Sequence, residues 1–183
     1  AATPDPLWSR GLGDVYKRQV IRVLTVGGTI DKIYFDAKSS YEVGPPAIED
    51  MISDLHLNQD FFFSALMRKD SLEMNEKDRE KVLEAVTSCN EELILITHGT
   101  DTMVEKAYTI SNSFPEGSLK KTIVLSGSMK PAIFRDTDAF FNVGCAIAAL
   151  QILDSGVYIA MSGGIFPYNK VRKDRDLGKF ILQ

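Results

Sequence analysis

The chain has 183 residues, with 21 Lys and Arg against 25 Asp and Glu, and its formal net charge is −4. Hydrophobic residues make up 44% and charged residues 25%, a balance typical of a folded globular domain rather than a disordered chain. The acidic balance argues against nucleic acid as a partner. No apolar run approaches the roughly 20 residues of a membrane-spanning helix, so no membrane partner is expected either.

The cysteines, histidines and glycine motifs exclude further classes of protein. Cys89 and Cys145 are too few for a disulfide framework and lie in apolar helical patterns, which favours reduced thiols and a cytoplasmic protein. With only His56 and His98, and no cluster of cysteines, a metal site is not expected. The common nucleotide-binding loops are absent from the sequence.

Residues 1–19 show no strand or helix periodicity and contain two prolines and two glycines. They also lack the apolar stretch of a secretory signal. We interpret them as a disordered leader or a non-native segment, and we place a single α/β domain at residues 20–183.

From Val20 onward, apolar runs alternate with helical patterns. The runs predict strands at residues 20–26, 61–67, 92–97, 122–125 and 157–161. The helical patterns predict helices at residues 47–57, 75–89, 101–113 and 136–153, and the last of these carries an apolar stripe formed by Phe140, Val143, Ile147 and Leu150. The polar segment 31–46 is too long for a simple connection and is a candidate functional loop.

This alternation predicts a three-layer α/β fold, in which a parallel sheet of flavodoxin or Rossmann type carries helices on both faces. Nearly every predicted strand is followed by small or polar residues. Because ligands bind beyond the carboxyl ends of the strands in such sheets, we expect the functional residues at that edge.

The turn after the first strand is the first candidate site. Gly27 and Gly28 allow the backbone to bend sharply and a ligand to approach, and Thr29 then presents a hydroxyl. An ordinary tight turn between a strand and a helix would explain the same residues.

The turn after the third strand places a second hydroxyl, Thr100, beside Asp101. Helix capping alone would explain Asp101. His98 could act as a base, but a histidine in such a turn is more often structural. The charged run 171–174 would ordinarily be a solvated loop, and it matters here because a lysine beside Thr100 and Asp101 could activate a hydroxyl.

Together these segments resemble the bacterial-type L-asparaginases. Residues 27–30 (Gly-Gly-Thr-Ile) match the first family signature, and residues 96–103 (Ile-Thr-His-Gly-Thr-Asp-Thr-Met) match the long and specific second one. Residues 126–131 and 141–142 resemble a further shared stretch. The resemblance runs from about Val20 to Lys173 and covers the amino-terminal domain of the family.

The resemblance implies roles for individual residues. Thr29 would be the nucleophile, assisted by Tyr41 of a mobile lid. The second catalytic group would be Thr100, Asp101 and Lys173. Ser71 would hold the substrate α-carboxylate and Asp101 its α-amino group, and the substrate-binding residues would be Gly28, Ser71, Leu72, Gly99, Thr100 and Asp101. The implied reaction is hydrolysis of L-asparagine to aspartate and ammonia by a homo-oligomer, dimer or tetramer, without metal or cofactor.

The chain also departs from the family pattern. Val26 stands where the family usually has Thr, Asp31 where it has a small residue, and Leu72 where Gln often helps to bind the α-amino group. The family has a second, carboxyl-terminal domain that completes the active site of a neighbouring subunit. This chain ends at Gln183, near the expected interdomain linker, and resembles either a naturally short protein or a truncated one.

These departures keep two alternatives to the amidohydrolase open. One is a non-catalytic module of the same fold that binds an amino acid or a partner. The other is an amidase component that acts on a larger substrate within a complex.

Overall fold

The computed structural model describes residues 20–183, and the predicted leader at residues 1–19 lies outside the described residues. The strands are β1 (Ile21–Thr25), β2 (Lys32–Phe35), β3 (Ser40–Val43), β4 (Phe61–Ala65), β5 (Leu93–Thr97), β6 (Thr122–Ser126), β7 (Gly156–Met161), β8 (Gly164–Pro167), β9 (Val171–Asp174) and β10 (Lys179–Leu182). The helices are α1 (Ile48–Ser53), α2 (Glu76–Ser88), α3 (Met103–Asn112) and α4 (Ala139–Ile152). No helix within this part of the chain is long and apolar enough to cross a membrane.

The central sheet has the spatial order β4-β1-β5-β6-β7-β8. The first five strands in this order run parallel, and β8 pairs antiparallel with β7. The predicted α/β fold is confirmed, but the expectation of a wholly parallel sheet is wrong at this edge. Ser162 and Gly163 both have positive φ, 54° and 78°, and such a turn joins two antiparallel strands directly.

Helices cover both faces of the sheet, as predicted. Val82 and Val86 of α2 pack with Met103 and Ile110 of α3 in one core cluster. The opposite cluster combines residues of α1 with α4, among them Ile48, Met51, Val143 and Leu150. The apolar periodicity of each helix therefore describes the face that it buries against the sheet.

The apolar stripe predicted for α4 is wrong at its first member. Val143, Ile147 and Leu150 are buried, but Phe140 is 45% exposed and its neighbour Phe141 is 62% exposed. Ala139 and three further small or polar side chains, Asn142, Ala146 and Ala149, fill the buried face instead. Small side chains let the helix lie close to the sheet, and this arrangement turns both phenylalanines outward.

Two segments predicted as loops contain hairpins. Segment 31–46 forms β2 and β3, and the charged run 171–174 is β9, which pairs with β10. We call residues 32–43 the lid hairpin. Val171 and Phe180 anchor the second hairpin to the core, with exposures of 0% and 3%.

The strand order locates a crevice in the fold. When the five parallel strands are numbered along the chain, their spatial order becomes 2-1-3-4-5, the flavodoxin-like order. Connections leave β1 and β5 toward opposite faces of such a sheet, and the carboxyl ends of these neighbouring strands flank the crevice where ligands bind. The segments that contain Thr29 and Thr100 follow these two strands.

Candidate active site

The turns after β1 and β5 contact each other through glycine backbones. A methyl group placed on Gly28 would lie 2.5 Å from Cα of Gly99, and Gly28 has a φ of +100°. A side chain is therefore excluded at this position by both space and conformation. Thr29 and Thr100 are the residues that follow this contact in the two turns.

Thr29 begins a short 3-10 turn, Thr29–Asp31, that is anchored on both sides. The carbonyl of Ile30 accepts a hydrogen bond of 3.0 Å from the amide of Ala132, and the carbonyl of Thr29 accepts from the amide of Lys32. The Ile30 side chain is 1% exposed, whereas Thr29 is only half-buried. The fold thus fixes the backbone of Thr29 and leaves its side chain partly accessible.

Lys173 joins Thr100 and Asp101 in one cluster. Its Nζ lies 2.8 Å from Oγ1 of Thr100 and 2.8 Å from Oδ1 of Asp101. Thr100 is 4% exposed, and the Lys173 side chain is 14% exposed. An ammonium at this distance favours a developing negative charge on the hydroxyl oxygen, while the carboxylate keeps the ammonium in place.

Ser71 lies against the same glycine contact. A methyl group on Gly99 would lie 2.6 Å from both Cβ and Oγ of Ser71, so these residues touch without an intervening side chain. Ser71 is 3% exposed, and its hydroxyl makes no hydrogen bond with any residue from 20 to 183. A buried hydroxyl without a partner is unusual in a folded protein, and it marks Ser71 as a position where a further group would satisfy it.

A cleft of about 750 Å³ opens beside these turns. The cleft is lined by Lys32, Tyr41, Arg68, Asp70, Leu72 and Asp101, among others. Asp101 is the member of the Lys173 cluster that lines it, and Leu72 presents an apolar side chain that is 69% exposed. The structure therefore brings Tyr41, Leu72 and Asp101 to one cleft, with Ser71 and Thr100 buried next to residues of its wall.

The charge of the cleft is mixed. Lys32 pairs with Asp70 at 2.8 Å. Burial acts to raise the pKa of Asp70, but the hydrogen bonds from Lys32 and the Leu72 amide hold it below its usual value. Lys32 and Arg68 belong to no sequence motif, and the sequence analysis missed them. A single sequence gave no signal for them, because only the folded hairpin brings Lys32 over the turn at Asp70.

Tyr41 lies on the lid hairpin. Its ring contacts Tyr34 edge-on at 5.5 Å between centroids, and it contacts Phe134 at 5.9 Å. The side chain is 49% exposed. Aromatic contacts therefore hold the tyrosine at the rim of the cleft.

His98 has the surroundings of a structural residue. Its side chain is fully buried, and Nδ1 lies 2.8 Å from the carbonyl of Gly99, to which it donates. Burial lowers the pKa of His98 to about 4. The imidazole is therefore neutral near pH 7 and stabilises the turn between β5 and Thr100.

Sequence comparison relates the chain to known enzymes. It is 28% identical over 162 residues to the probable periplasmic L-asparaginase of Haemophilus influenzae, covering 84% of this chain and 46% of that protein. The values are the same for L-asparaginase 2 of Escherichia coli. The chain thus spans about half the length of the curated relatives that it matches.

Solved structures share the fold. The thermostable L-asparaginase from Thermococcus kodakarensis superposes with a TM-score of 0.79 at 24% identity, over 89% of this chain and 51% of that one. A probable cytoplasmic L-asparaginase from Campylobacter jejuni gives a TM-score of 0.72 at 24% identity, over 88% and 52% of the two chains. Residues 20–176 match the family model described as Asparaginase, N-terminal, and the chain therefore belongs to the asparaginase family.

Proposed function

We propose that the chain hydrolyses the side-chain amide of L-asparagine, or of a related small amide, to the acid and ammonia. The observation that carries this proposal is the cluster of Lys173, Thr100 and Asp101, which lies across the Gly28–Gly99 contact from the turn of Thr29. Membership of the asparaginase family supports the same reaction class.

Thr29 is the proposed nucleophile. Its hydroxyl oxygen bonds to the amide carbon, the C–N bond breaks, and ammonia leaves with the proton that the hydroxyl gives up. Water then attacks the resulting ester, which releases the acid and restores Thr29. Tyr41 assists the first proton transfer from the lid hairpin. Backbone N–H groups of the glycine turn stabilise the oxyanion of each step, and the loss of one such donor typically costs about 10² to 10³ in rate.

Thr100, Asp101 and Lys173 form the second proposed catalytic group. The Lys173 ammonium stabilises negative charge on Oγ1 of Thr100 at 2.8 Å, so that this oxygen can exchange a proton with substrate or water. Asp101 neutralises the ammonium and reaches the cleft with its carboxylate. Replacing Lys173 with Met removes this charge and keeps the length of the side chain.

Substrate recognition is assigned to residues around Ser71. Its hydroxyl donates to the α-carboxylate, and Asp101 receives the α-amino group. Gly28 and Gly99 bring the two turns together, and their backbone forms the remaining part of the proposed binding surface. Leu72 contributes only apolar contact, because its side chain has no hydrogen-bonding group, and we expect weaker selection for a free α-amino group.

The test is ammonia release from asparagine, glutamine and simple amides by wild type, Thr29→Ala and Lys173→Met. We expect both substitutions to reduce turnover at least about 10³-fold while the circular dichroism spectrum is unchanged. Equal rates in wild type and Thr29→Ala would remove Thr29 from the mechanism. Calorimetry with aspartate tests the alternative of a non-catalytic module. Saturable binding of aspartate without any turnover would identify such a module.

Location and assembly are part of the same proposal. Cys89 and Cys145 are both free thiols, and the proposed compartment is the cytoplasm, where thiols stay reduced. The proposed assembly is a homo-oligomer of two or four copies.

A further inference from the structure

Asp31 is a buried acid at the end of the turn that begins with Thr29, the proposed nucleophile. It is 2% exposed, although its side chain carries a carboxyl group. Its amide donates to the carbonyl of Gly28 at 3.2 Å, which closes the turn that contains Thr29. A buried carboxyl group is costly to keep unless it makes contacts that the fold uses, so its partners are informative.

Those partners lie at the base of the lid hairpin. The carbonyl of Asp31 accepts from the amide of Gly44 at 2.8 Å, directly after the end of the second lid strand. Oδ1 of Asp31 accepts from the amide of Ala47 at 2.9 Å, directly before α1. One residue thus joins the nucleophile turn, the returning end of the lid and the start of the next helix.

We propose that Asp31 is a positioning residue that fixes the base of the lid hairpin to the Thr29 turn, so that Tyr41 is held at the cleft. The catalytic part of this inference rests on the proposed function. The lid hairpin is attached to the rest of the chain at Asp31 and Gly44, and a hydrogen bond at this base restricts the angle of the whole hairpin.

The side chain of Asp31 makes one hydrogen bond that its backbone cannot make. The contact with Gly44 uses a backbone carbonyl and would survive substitution, whereas the contact with Ala47 requires the carboxyl oxygen. An alanine at this position has no side-chain oxygen that could accept this hydrogen bond. The Arg68 guanidinium provides favourable charge nearby. The connection to α1 therefore depends on the side chain of Asp31.

Hydrogen exchange measured by mass spectrometry tests the proposal on the full chain. We expect Asp31→Ala to accelerate exchange in residues 32–47 about tenfold, because the substitution removes one hydrogen bond to a charged group. Asp31→Asn keeps an oxygen acceptor toward Ala47 and should exchange no faster than wild type. Asp36→Ala changes an exposed acid at the hairpin tip and should alter exchange by no more than about twofold.

Two results would overturn the proposal: wild-type exchange in folded Asp31→Ala, or exchange in Asp31→Asn as fast as in Asp31→Ala. If Asp31→Ala does not fold, Ala47→Pro removes the same hydrogen bond from the donor side. The φ of Ala47, −72°, suits proline, and the same acceleration in residues 32–43 is expected.

Activity is measured in parallel. We expect Asp31→Ala to lower kcat about tenfold, with recovery in Asp31→Asn. A wild-type chain that releases no ammonia would defeat the proposed function alone, because the exchange data decide the role of Asp31 separately.

Discussion

Among single residues, Lys106 is buried although its residue type favours the surface. It lies in α3 and is 3% exposed, and its Nζ makes no hydrogen bond with any described residue. Burial lowers the pKa of Lys106 to about 8, and the charge of Arg79 acts in the same direction. No periodicity argument places a lysine inside, because lysine normally keeps its ammonium in water.

Replacing Lys106 with Met should therefore stabilise the chain. A lysine whose folded pKa is about 8 instead of 10.5 destabilises the fold fully below pH 8, and this penalty disappears as the pH approaches 10.5. We expect Lys106→Met to raise the free energy of unfolding by roughly 1 to 3 kcal/mol at pH 7. Urea denaturation at pH 7 and pH 10 measures it.

Lys77→Met is the matched control, because Lys77 is exposed on α2. We expect its effect to stay within about 0.5 kcal/mol. A folded Lys106→Met variant that is less stable than wild type at pH 7 would show that the ammonium has a stabilising partner.

Asp31 affects stability in the opposite direction of pH, because its buried carboxyl group destabilises the fold at high pH instead of low pH. Burial raises the pKa of Asp31 to about 6 from 3.8, while the Ala47 amide and Arg68 act to lower it. The folded state binds the proton more tightly, so the stability of wild type should fall as the pH rises from 3.8 to 6. Asp31→Asn should be more stable than wild type by roughly 1 to 3 kcal/mol above pH 6, and the gain should vanish near pH 4.

Thermal unfolding of wild type and Asp31→Asn between pH 4 and pH 7.5 checks this window. Parallel stability curves for the two proteins over this range would contradict the assignment to Asp31.

The sequence motifs predict only part of the geometry around the candidate site. Gly28, Gly99 and Thr100 were expected at the sheet edge from the two signatures, and the structure brings their turns into contact. The relation of Lys173 to Thr100 depended on the family resemblance, because 73 residues separate them in the chain. Such a long-range contact comes from the docking of a hairpin, which local periodicity does not encode.

At the scale of elements, the strongest apolar patterns predicted the fold best. β5 and β6 are buried at every position, and a continuous apolar run is typical of a parallel strand covered on both faces. β2, β3, β9 and β10 have four residues each and include charged side chains. Their pairing depends on turns and on docking against the domain, so their sequences resemble loops.

Alanine substitutions at two glycines should change stability in opposite directions, because one glycine lies in a helix and the other in a packed turn. Gly144 is exposed in α4, and a methyl group there would meet nothing within 4 Å. Gly144→Ala should stabilise the chain by about 0.5 to 1 kcal/mol, because alanine loses less backbone entropy in a helix. At Gly99 the same methyl group would lie 2.6 Å from Ser71.

We therefore expect Gly99→Ala to lower the melting temperature and displace Ser71, and Gly144→Ala to raise that temperature by about 1 to 4 °C. Differential scanning calorimetry of both variants is the measurement. A Gly99→Ala variant with wild-type stability would mean that the two turns are less tightly packed than the structure indicates.

For the whole molecule, the exposed apolar surface bears on the proposed homo-oligomer. Phe141 is 62% exposed and packs beside the β7–β8 turn, where a methyl group on Gly163 would lie 3.5 Å from its ring. Phe140 and Ile165 are also exposed, at 45% and 41%. Exposed apolar residues that lie together mark interaction surfaces more often than single ones do. Ile152, at the other end of α4, is 77% exposed.

If copies of the chain associate through the surface around Phe141, Phe141→Lys should place a charge in the interface and shift the protein toward single chains. Ile152→Lys should leave the assembly unchanged, because it lies at the opposite end of the helix. Light scattering coupled to size exclusion gives the molar mass of each variant. A hundredfold range of protein concentration covers about 2.7 kcal/mol in association free energy. A wild-type mass equal to one chain at every concentration would exclude the homo-oligomer, and dissociation by Ile152→Lys alone would move the interface to the far end of α4.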